Sequence, residues 1–498
     1  MLDNLIINML SKIVNQKQGR KILARQLDKY IYKSFVEDCP DTLSTIQEKK
    51  YQYLSAILHT AVKNMDRGYI SKKVVKNLIE VFVKNAIMQN NHENLQSEAN
   101  FKGKYGIEPP GFLVLSPTQR CNLSCIGCYA ASNAATANYL PYPIVEKILK
   151  ENHDLFGSRF MTISGGEPFM YRDRQTGQTL LDLFAEFNDT FFLVYTNGTL
   201  ITRELAEKLA DLGNVTPAIS VEGYESQTDE RRGQGVFRRI LQAMEYLRQA
   251  GVPFGISITS TAKNADILLS EEFYDYFFEE QGVSYIWQFQ LMPIGRADDL
   301  LHLMVQPEQR IQLYKMWERM LAEKKYPLAD FWNSGVLSNG CIAYGRAGGY
   351  LYIDWNGNIM PCVFVPYYVD NIYDLYRNGK SLADALFSPF MINGRKWQDE
   401  YGYAHRNHPD NWLLPCSIRD HYENFRRSIL TPEAKPEDEA AAQILQDENY
   451  YKYLTAYDKK LEELTLPIWR KEYLGWAEEE DTGTPEQKNK KQSVAEMV

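Results

Sequence analysis

The sequence lacks the features that would place the protein across a membrane or outside the cell. Its longest apolar runs fall far short of the roughly 18–20 residues that span a bilayer. Its N-terminus shows neither the unbroken apolar stretch nor the small-residue cleavage site of a signal peptide. Seven cysteines in 498 residues, an odd and unevenly spaced set, argue against a secreted disulfide framework. We therefore expect a cytoplasmic protein with reduced thiols.

An excess of positive charge is also missing. The formal net charge is −9, so the protein has no general attraction for polyanions, and we expect no nucleic-acid partner. The 44% hydrophobic content over 498 residues is enough for a sizeable core and for more than one domain.

Residues 1–90 are predicted to be helical, and residues 91–110 to form a linker. Apolar residues recur at the three- and four-residue spacing of one helix face, at Leu2, Leu5, Ile6, Met9, Leu10 and Ile13. The opposite face is basic, at Lys12, Lys17, Arg20, Lys21, Arg25, Lys29 and Lys33. Two interpretations stay open: the apolar stripe packs on the rest of the protein, or residues 1–35 contact an anionic membrane surface.

From residue 111 to about 300, short β-rich runs alternate with amphipathic helices. The predicted strands are 112–116, 159–164, 191–196, 216–221, 254–259 and 285–292. Repeats of this kind indicate an α/β fold, a partial (β/α)6 TIM-like barrel. Reactive groups in such barrels lie beyond the C-terminal ends of the strands. A less regular, cysteine-containing extension (301–430), a helical segment (431–476) and a charged, disordered tail (477–498) complete the predicted organisation.

The segment "CNLSCIGC" places Cys121, Cys125 and Cys128 in the loop after the first strand. Three thiolates on a [4Fe–4S] cluster would leave one iron open to a small molecule. The alternative is structural zinc, which needs a fourth ligand. His153 or Cys39 could supply it, but only through the fold.

This C-x3-C-x2-C spacing resembles the signature of the radical SAM superfamily, and further motifs follow in the family's order. They are "SGGEP" (164–168), "YTNGT" (195–199), "SVEG" (220–223) and "LMPIGRA" (291–297). The resemblance implies that the cysteines hold the catalytic cluster and that "SGGEP" binds S-adenosylmethionine (SAM). The SAM site residues that it implies are Gly165, Gly166, Glu167 and Pro168, with Thr196, Asn197 and Ser220 as further candidates for ribose or substrate contacts. Glu167 could pair with the SAM ammonium group.

Two positions depart from the family pattern. Gly127 stands where an aromatic residue usually precedes the third cysteine, and Glu222 stands where aspartate is common.

The resemblance further implies reductive cleavage of SAM to a 5′-deoxyadenosyl radical that abstracts hydrogen from a substrate C–H bond. An electron donor such as flavodoxin or ferredoxin would supply the electron. No residue of this sequence is singled out as a catalytic acid or base.

Three further cysteines lie downstream, at Cys341, Cys362 and Cys416. The first two fall in a C-x15-G-x4-C pattern whose end reads as a hairpin, "YLYID", a turn at "WNGN", then "IMPC". The pattern resembles the SPASM and twitch extensions of radical SAM enzymes, which implies one auxiliary Fe–S cluster, with zinc as the alternative. His405, His408, His421 or the substrate could supply a fourth ligand, and Cys39 is expected to be a packed core thiol.

Three hypotheses concern the substrate and the activity. The SPASM-type resemblance implies a peptide or protein. The basic N-terminus keeps a membrane-associated enzyme acting on a lipid as an alternative. A non-catalytic Fe–S or zinc scaffold is the third hypothesis, and formation of 5′-deoxyadenosine would distinguish an enzyme from it.

Overall fold

Helices make up most of what the structure describes before the first strand. The computed structural model describes residues 14–39, 42–82 and 92–476, so the apolar stripe at residues 2–13 and the tail 477–498 lie outside the described residues. The helices are α1 (Lys17–Tyr32), α2 (Ser44–Asp66), α3 (Lys72–Phe82) and α4 (His92–Tyr105). We expected a linker at α4, but Phe101 is buried there and packs edge-to-face on Phe156.

The N-terminal helices pack on one another and on the rest of the protein. Asp28 of α1 accepts hydrogen bonds from Tyr51 (3.2 Å) and Ser55 (2.5 Å) of α2. The Asn64 side-chain amide of α2 donates to the Gly282 carbonyl oxygen at 2.9 Å. The described helices of this region therefore pack on one another and on the rest of the protein. None of the described helices combines the length and apolar composition needed to cross a bilayer.

The centre of the protein is a curved sheet of parallel strands, each neighbouring the next along the chain. The strands are β1 (Phe112–Leu115), β2 (Phe160–Ile163), β3 (Phe191–Thr196), β4 (Val215–Val221), β5 (Gly255–Ser260) and β6 (Ile286–Gln290). The helices between them are α5 (Tyr142–Asp154), α6 (Leu180–Glu186), α7 (Arg203–Leu212), α8 (Glu225–Arg232), α9 (Val236–Ala250), α10 (Ala265–Leu268) and α11 (Glu271–Asp275). The predicted α/β fold with a partial (β/α)6 barrel is confirmed.

The strands are mostly buried because helices cover the outside of the sheet, while inward-facing positions such as Phe112 and Phe160 are half-buried. Local signals fix the helices. Thr202, for example, caps α7 by accepting a hydrogen bond from Leu205 N at 3.2 Å. Because all six strands run the same way, their C-terminal ends share one rim of the barrel.

The C-terminal part of the chain continues the same sheet. Its elements are α12 (Pro307–Arg319), β7 (Leu328–Asp330), β8 (Tyr350–Ile353), β9 (Asn358–Met360), β10 (Tyr367–Tyr368), β11 (Asp370–Asn371), α13 (Ile372–Arg377), α14 (Pro389–Gln398), α15 (Tyr422–Asn424), β12 (Lys435–Pro436), α16 (Glu439–Ile444) and α17 (Glu448–Ile468). β7 pairs in parallel with β6, and β8 pairs in parallel with β1. β9 and β11 extend that edge in antiparallel fashion, while β10 and β12 form a separate pair.

The predicted hairpin is present as β8 and β9. Asp354 closes its turn by accepting hydrogen bonds from Asn356 N and Asn358 N, both at 2.8 Å. Because β8 lies beside β1, the hairpin brings the downstream cysteines next to the barrel.

Candidate active site

The loop after β1 carries three cysteines whose thiols line one cavity. Cys121, Cys125 and Cys128 lie beyond the C-terminal end of β1, on the wall of a cavity of about 540 Å³. Backbone hydrogen bonds hold the loop: Cys121 N donates to Asn133 O (3.1 Å), and Arg296 N donates to Cys128 O (3.0 Å). The backbone of the loop therefore holds the three cysteine thiols on one wall of the cavity.

The "SGGEP" loop after β2 packs directly against the cysteine loop. Gly166 N donates to Thr118 O at 2.9 Å, and Glu167 N donates to Arg120 O at 2.8 Å. Gly165 has a φ of +116°, and a Cβ on Gly166 would lie 2.3 Å from Arg120 O. Only glycine fits where two backbones approach this closely. Both glycines line the same cavity as the three thiols.

Glu167 joins the ends of β2 and β3. Its carboxylate is fully buried and accepts hydrogen bonds from Thr196 Oγ1 (2.7 Å), Asn197 N (2.8 Å) and Phe169 N (3.2 Å). Burial raises its pKa to about 7. Pro168 is buried in the short turn that follows. Glu167 and Pro168 do not line the cavity, and the Glu167 carboxylate links the motif to the end of β3.

Two polar groups, one from the residue after β3 and one from the cysteine loop, lie near the first cysteine sulfur. Asn197 Nδ2 lies 3.8 Å from Cys121 Sγ and donates to Asn122 Oδ1 at 2.9 Å. Leu123 N lies 3.4 Å from the same sulfur. Burial raises the pKa of the Cys121 thiol to about 12, so a thiolate here needs a positively charged partner such as iron. The predicted residues Thr196, Asn197 and Ser220 all line the cavity.

Glu222 at the end of β4 holds two arginines against the cysteine loop. Its buried carboxylate accepts from Arg231 (2.5 Å) and from Arg232 Nε (2.8 Å). Arg231 Nε also donates to Ile126 O (3.0 Å), and an Arg232 nitrogen lies 3.9 Å from Cys125 Sγ. The arginines place positive charge beside sulfur atoms that must be anionic to bind metal.

The two departures from the family pattern have local explanations. Gly127 has a φ of +66°, and a Cβ there would lie 2.9 Å from Leu291 Cδ1. Tyr129, after the third cysteine, lines the cavity instead, and its hydroxyl lies 2.8 Å from Ser164 Oγ. Glu222 replaces aspartate where its longer side chain reaches both arginines.

The three downstream cysteines line a second cavity of about 440 Å³. Cys341 follows a short helical turn, Cys362 follows β9, and Cys416 follows Pro415. The Tyr350 hydroxyl lies 2.9 Å from Cys362 Sγ. Burial raises the pKa of all three thiols, that of Cys362 to about 12, so these thiolates would also need metal to be stable.

The second cavity adjoins the first. Both are lined by Trp287, Phe331, Leu337 and Ile342, which therefore separate the two sets of cysteines. On its outer side the second cavity is covered by Phe35, Tyr53 and Leu54 from the N-terminal helices.

Comparison with known proteins identifies the domain that carries this site. The family model of the Radical SAM superfamily matches residues 115–262, from the end of β1 to the loop after β5. The chain carries a radical SAM domain. The protein is accordingly an enzyme of the radical SAM type.

Relatives of this radical SAM enzyme include proteins of different named activities. The AdoMet-dependent heme synthase of Methanosarcina barkeri is 28% identical over 290 residues, covering 53% of this chain and 79% of that protein. The mycofactocin maturase MftC of Mycolicibacterium smegmatis is 29% identical over 335 residues, covering 65% and 79%. The crystal structure of Streptococcus suis SuiB bound to precursor peptide SuiA matches with a TM-score of 0.49 at 19% identity, over 70% of this chain and 83% of that one.

In this radical SAM enzyme, the histidines suggested as fourth metal ligands lie away from both sets of cysteine thiols. His153 bonds Thr190, His421 lies between aromatic rings with Nε2 2.9 Å from Leu414 O, and His405 and His408 are exposed. None of these, and not Cys39, lines either cavity. Among the described residues, no three His, Cys, Asp or Glu side chains converge on one point as a single metal ion requires. An iron–sulfur cluster does not need such convergence on one point, because each cysteine thiolate binds a different iron.

Some residues at the site could not be assigned from single motifs. Arg231 and Arg232 reach the cysteine loop only through the fold, because they lie at the C-terminal end of α8, nine and ten residues after Glu222. The contact of Tyr350 with Cys362 follows from the pairing of β8 with β9, although the predicted hairpin did not single out the tyrosine hydroxyl.

Proposed function

We propose that the enzyme cleaves SAM at a [4Fe–4S] cluster held by Cys121, Cys125 and Cys128 and abstracts hydrogen from a peptide substrate. The observation that carries this is one cavity lined by three thiols, by Gly165 and Gly166 and by the polar ends of β3 and β4. When bound, the cluster supplies the electron that splits SAM into methionine and a 5′-deoxyadenosyl radical, which takes hydrogen from a C–H bond.

The protein's own groups bind and orient. The close packing of Gly166 on the cysteine loop holds the SAM pocket and the thiols in one arrangement. Arg232 offers a cation beside Cys125, suited to thiolate charge or to the carboxylate of SAM. The apolar side chains on the cavity wall exclude water, which protects a reactive radical from side reactions.

A peptide substrate is supported by the relatives named as maturases, and by the charge of the cavity. A heme precursor carries several carboxylates that need cationic partners when buried. Among the described residues, the only charged side chains on the wall are Arg231 and Arg232, which already share Glu222. This distribution favours a substrate segment without carboxylates over a tetrapyrrole.

We further propose one auxiliary Fe–S cluster held by Cys341, Cys362 and Cys416. The wall formed by the described residues offers no His, Asp or Glu as a fourth ligand, so a four-iron cluster there would keep one iron open. Its place next to the first cavity suits an electron acceptor or a substrate anchor.

The test is anaerobic reconstitution followed by incubation with SAM and dithionite. We expect 5′-deoxyadenosine from the wild-type protein and none from Cys125→Ala. A Cys39→Ala variant, which changes a thiol outside both cavities, should retain the activity. Equal 5′-deoxyadenosine from Cys125→Ala and wild type would overturn the proposal.

A lipid substrate remains the second candidate, because α1 and the turn after it expose a row of cations. Spaced four residues apart, they are Lys17, Lys21, Arg25, Lys29 and Lys33. Within the described part of the chain none of the five forms an ion pair. Exposed Ile22 and Tyr30 lie among them, as in helices that bind anionic membrane surfaces.

Co-sedimentation with anionic liposomes tests the second candidate. Replacing the five cations by glutamine should abolish binding, while Lys459→Gln with Lys460→Gln on α17 should not. Equal sedimentation of the wild-type and five-cation variants would remove the membrane contact.

A further inference from the structure

The lower half of the first cavity, which we call the inner chamber, is walled by aromatic rings from the barrel strands and the C-terminal extension. They include Phe112, Phe160, Trp287, Phe289, Phe331 and Phe364. The Phe112 and Phe160 centroids lie 5.6 Å apart, and Phe289 lies 5.4 Å from Phe331 and 5.9 Å from Phe364. The rings thus form two apolar patches on the wall.

Charge is confined to the other end of the cavity. Across the part of the chain that the structure describes, Arg231 and Arg232 are the charged side chains of the wall, and both are bound to Glu222. A substrate carboxylate or ammonium entering the inner chamber would lose its hydration without gaining a partner, so its binding is disfavoured.

Tyr195 and Gln290 are two of the polar residues on the wall that keep a side-chain group without a hydrogen bond to any described residue. Tyr195, on β3, packs edge-to-face on Phe289 at 5.7 Å, and its hydroxyl makes no hydrogen bond to any described residue. Gln290 is oriented by its Nε2 contacts with Asp330 (3.3 and 3.4 Å), which leave its buried Oε1 unpaired. One donor and one acceptor meet the needs of a peptide amide.

We propose that the substrate group in the inner chamber is an uncharged hydrocarbon side chain of a peptide, aliphatic or aromatic, with the adjoining amide bound by Tyr195. This inference rests on the proposed radical SAM function and names the substrate class of the same site. One hydrogen atom moves from a side-chain carbon to the 5′ carbon, giving 5′-deoxyadenosine and a substrate carbon radical. Methionine is released, and the single electron comes from a low-potential donor such as flavodoxin.

Deuterium transfer tests the side-chain class. Probes are acetyl-Gly-X-Gly-amide peptides in which X is perdeuterated leucine, phenylalanine, glutamate or lysine, each incubated with reconstituted enzyme, SAM and dithionite. We expect deuterium in 5′-deoxyadenosine from leucine or phenylalanine and none from glutamate or lysine. Deuterium from a charged residue, or from no peptide while 5′-deoxyadenosine still forms, overturns the inference. If perdeuterated decanol were the only compound to transfer deuterium to 5′-deoxyadenosine, the peptide assignment would be overturned in favour of a lipid substrate. Absence of 5′-deoxyadenosine in every sample would instead refute the proposed function.

An equilibrium measurement needs no turnover. Acetyl-4-bromophenylalanine amide, a neutral probe, should quench the fluorescence of Trp287, and the quenching should be lost in Trp287→Phe. The matching free carboxylate should bind at least about tenfold more weakly, a difference of about 1.4 kcal/mol. Equal binding of the two probes would contradict an uncharged chamber.

A matched pair of tyrosine variants tests the anchor. Tyr195→Phe should weaken binding of the neutral amide several-fold. Tyr352→Phe should not, because the Tyr352 hydroxyl lies off the cavity and bonds Ser116 Oγ at 3.0 Å. Unchanged binding by Tyr195→Phe would remove this role from Tyr195.

Discussion

The contact between the glycine motif and the cysteine loop yields the most specific prediction. In Gly166→Ala the new Cβ would lie 2.3 Å from Arg120 O and 2.4 Å from Gln119 O, both backbone atoms that cannot rotate away. Overpacking of this kind costs about 1–3 kcal/mol. Weakening the bonds Gly166 N to Thr118 O and Glu167 N to Arg120 O adds about 0.5–1.5 kcal/mol each. We expect a local loss of about 3 kcal/mol.

Hydrogen–deuterium exchange of the loop amides measures this loss directly. About 3 kcal/mol corresponds to roughly 100-fold less protection in residues 116–129. The reconstituted variant should also hold less iron and form little 5′-deoxyadenosine. The control is Gly103→Ala in α4, where no atom lies within 4 Å of a new Cβ. It should leave the loop unchanged and stabilise the protein by about 0.5–1 kcal/mol. Wild-type exchange and iron content in Gly166→Ala would refute the reasoning.

Three further predictions concern buried polar groups. Glu222→Gln leaves two arginines without their anion and should destabilise the protein by about 3–5 kcal/mol, seen as a lower Tm. Tyr350→Phe removes a hydrogen bond to Cys362 Sγ and should make the auxiliary cluster's midpoint potential more negative in an EPR redox titration. Glu167 has its pKa raised from 4.5 to about 7, so its contribution to iron-free stability is full below pH 4.5 and falls as pH rises through 7. Relative to Glu167→Gln, wild-type protein should lose about 3 kcal/mol over that window in urea titrations.

Each of these has a contradicting outcome. An unchanged Tm in Glu222→Gln would mean that the arginines find other anions. Equal midpoint potentials in wild type, Tyr350→Phe and the control Tyr352→Phe would contradict an influence of the Tyr350 hydroxyl on the auxiliary cluster. A stability difference between wild type and Glu167→Gln that stays constant from pH 4.5 to 7 would contradict burial as the cause of the raised pKa.

The strands of the barrel could be predicted because the signal for each is local. The runs at β1 and β3 are apolar, rich in β-formers and followed by turns, and their observed bounds differ little from the predicted ones. The pairing of β8 with β1 was not predictable in the same way. It joins Leu113 to Leu351, and nothing near either residue specifies the partner.

The same distinction between local signals and contacts that depend on the fold holds for the candidate site. Cys121 and Gly166 belong to contiguous motifs, so their types and spacing were visible in the sequence. The roles of Arg232 and Tyr195 depend on which strand ends and inner walls the fold brings together. Glu167 shows the converse: its motif marked it as important, but only the structure reveals that its carboxylate braces β3.

The measurement that tests the central claim most directly is iron counting and EPR after anaerobic reconstitution, with and without SAM. The account predicts about eight irons per chain in two four-iron clusters. Cys125→Ala and Cys362→Ala should each lose about four, and SAM should shift only the signal missing from Cys125→Ala. A Cys125→Ala protein that still holds a SAM-responsive cluster and cleaves SAM would contradict the account.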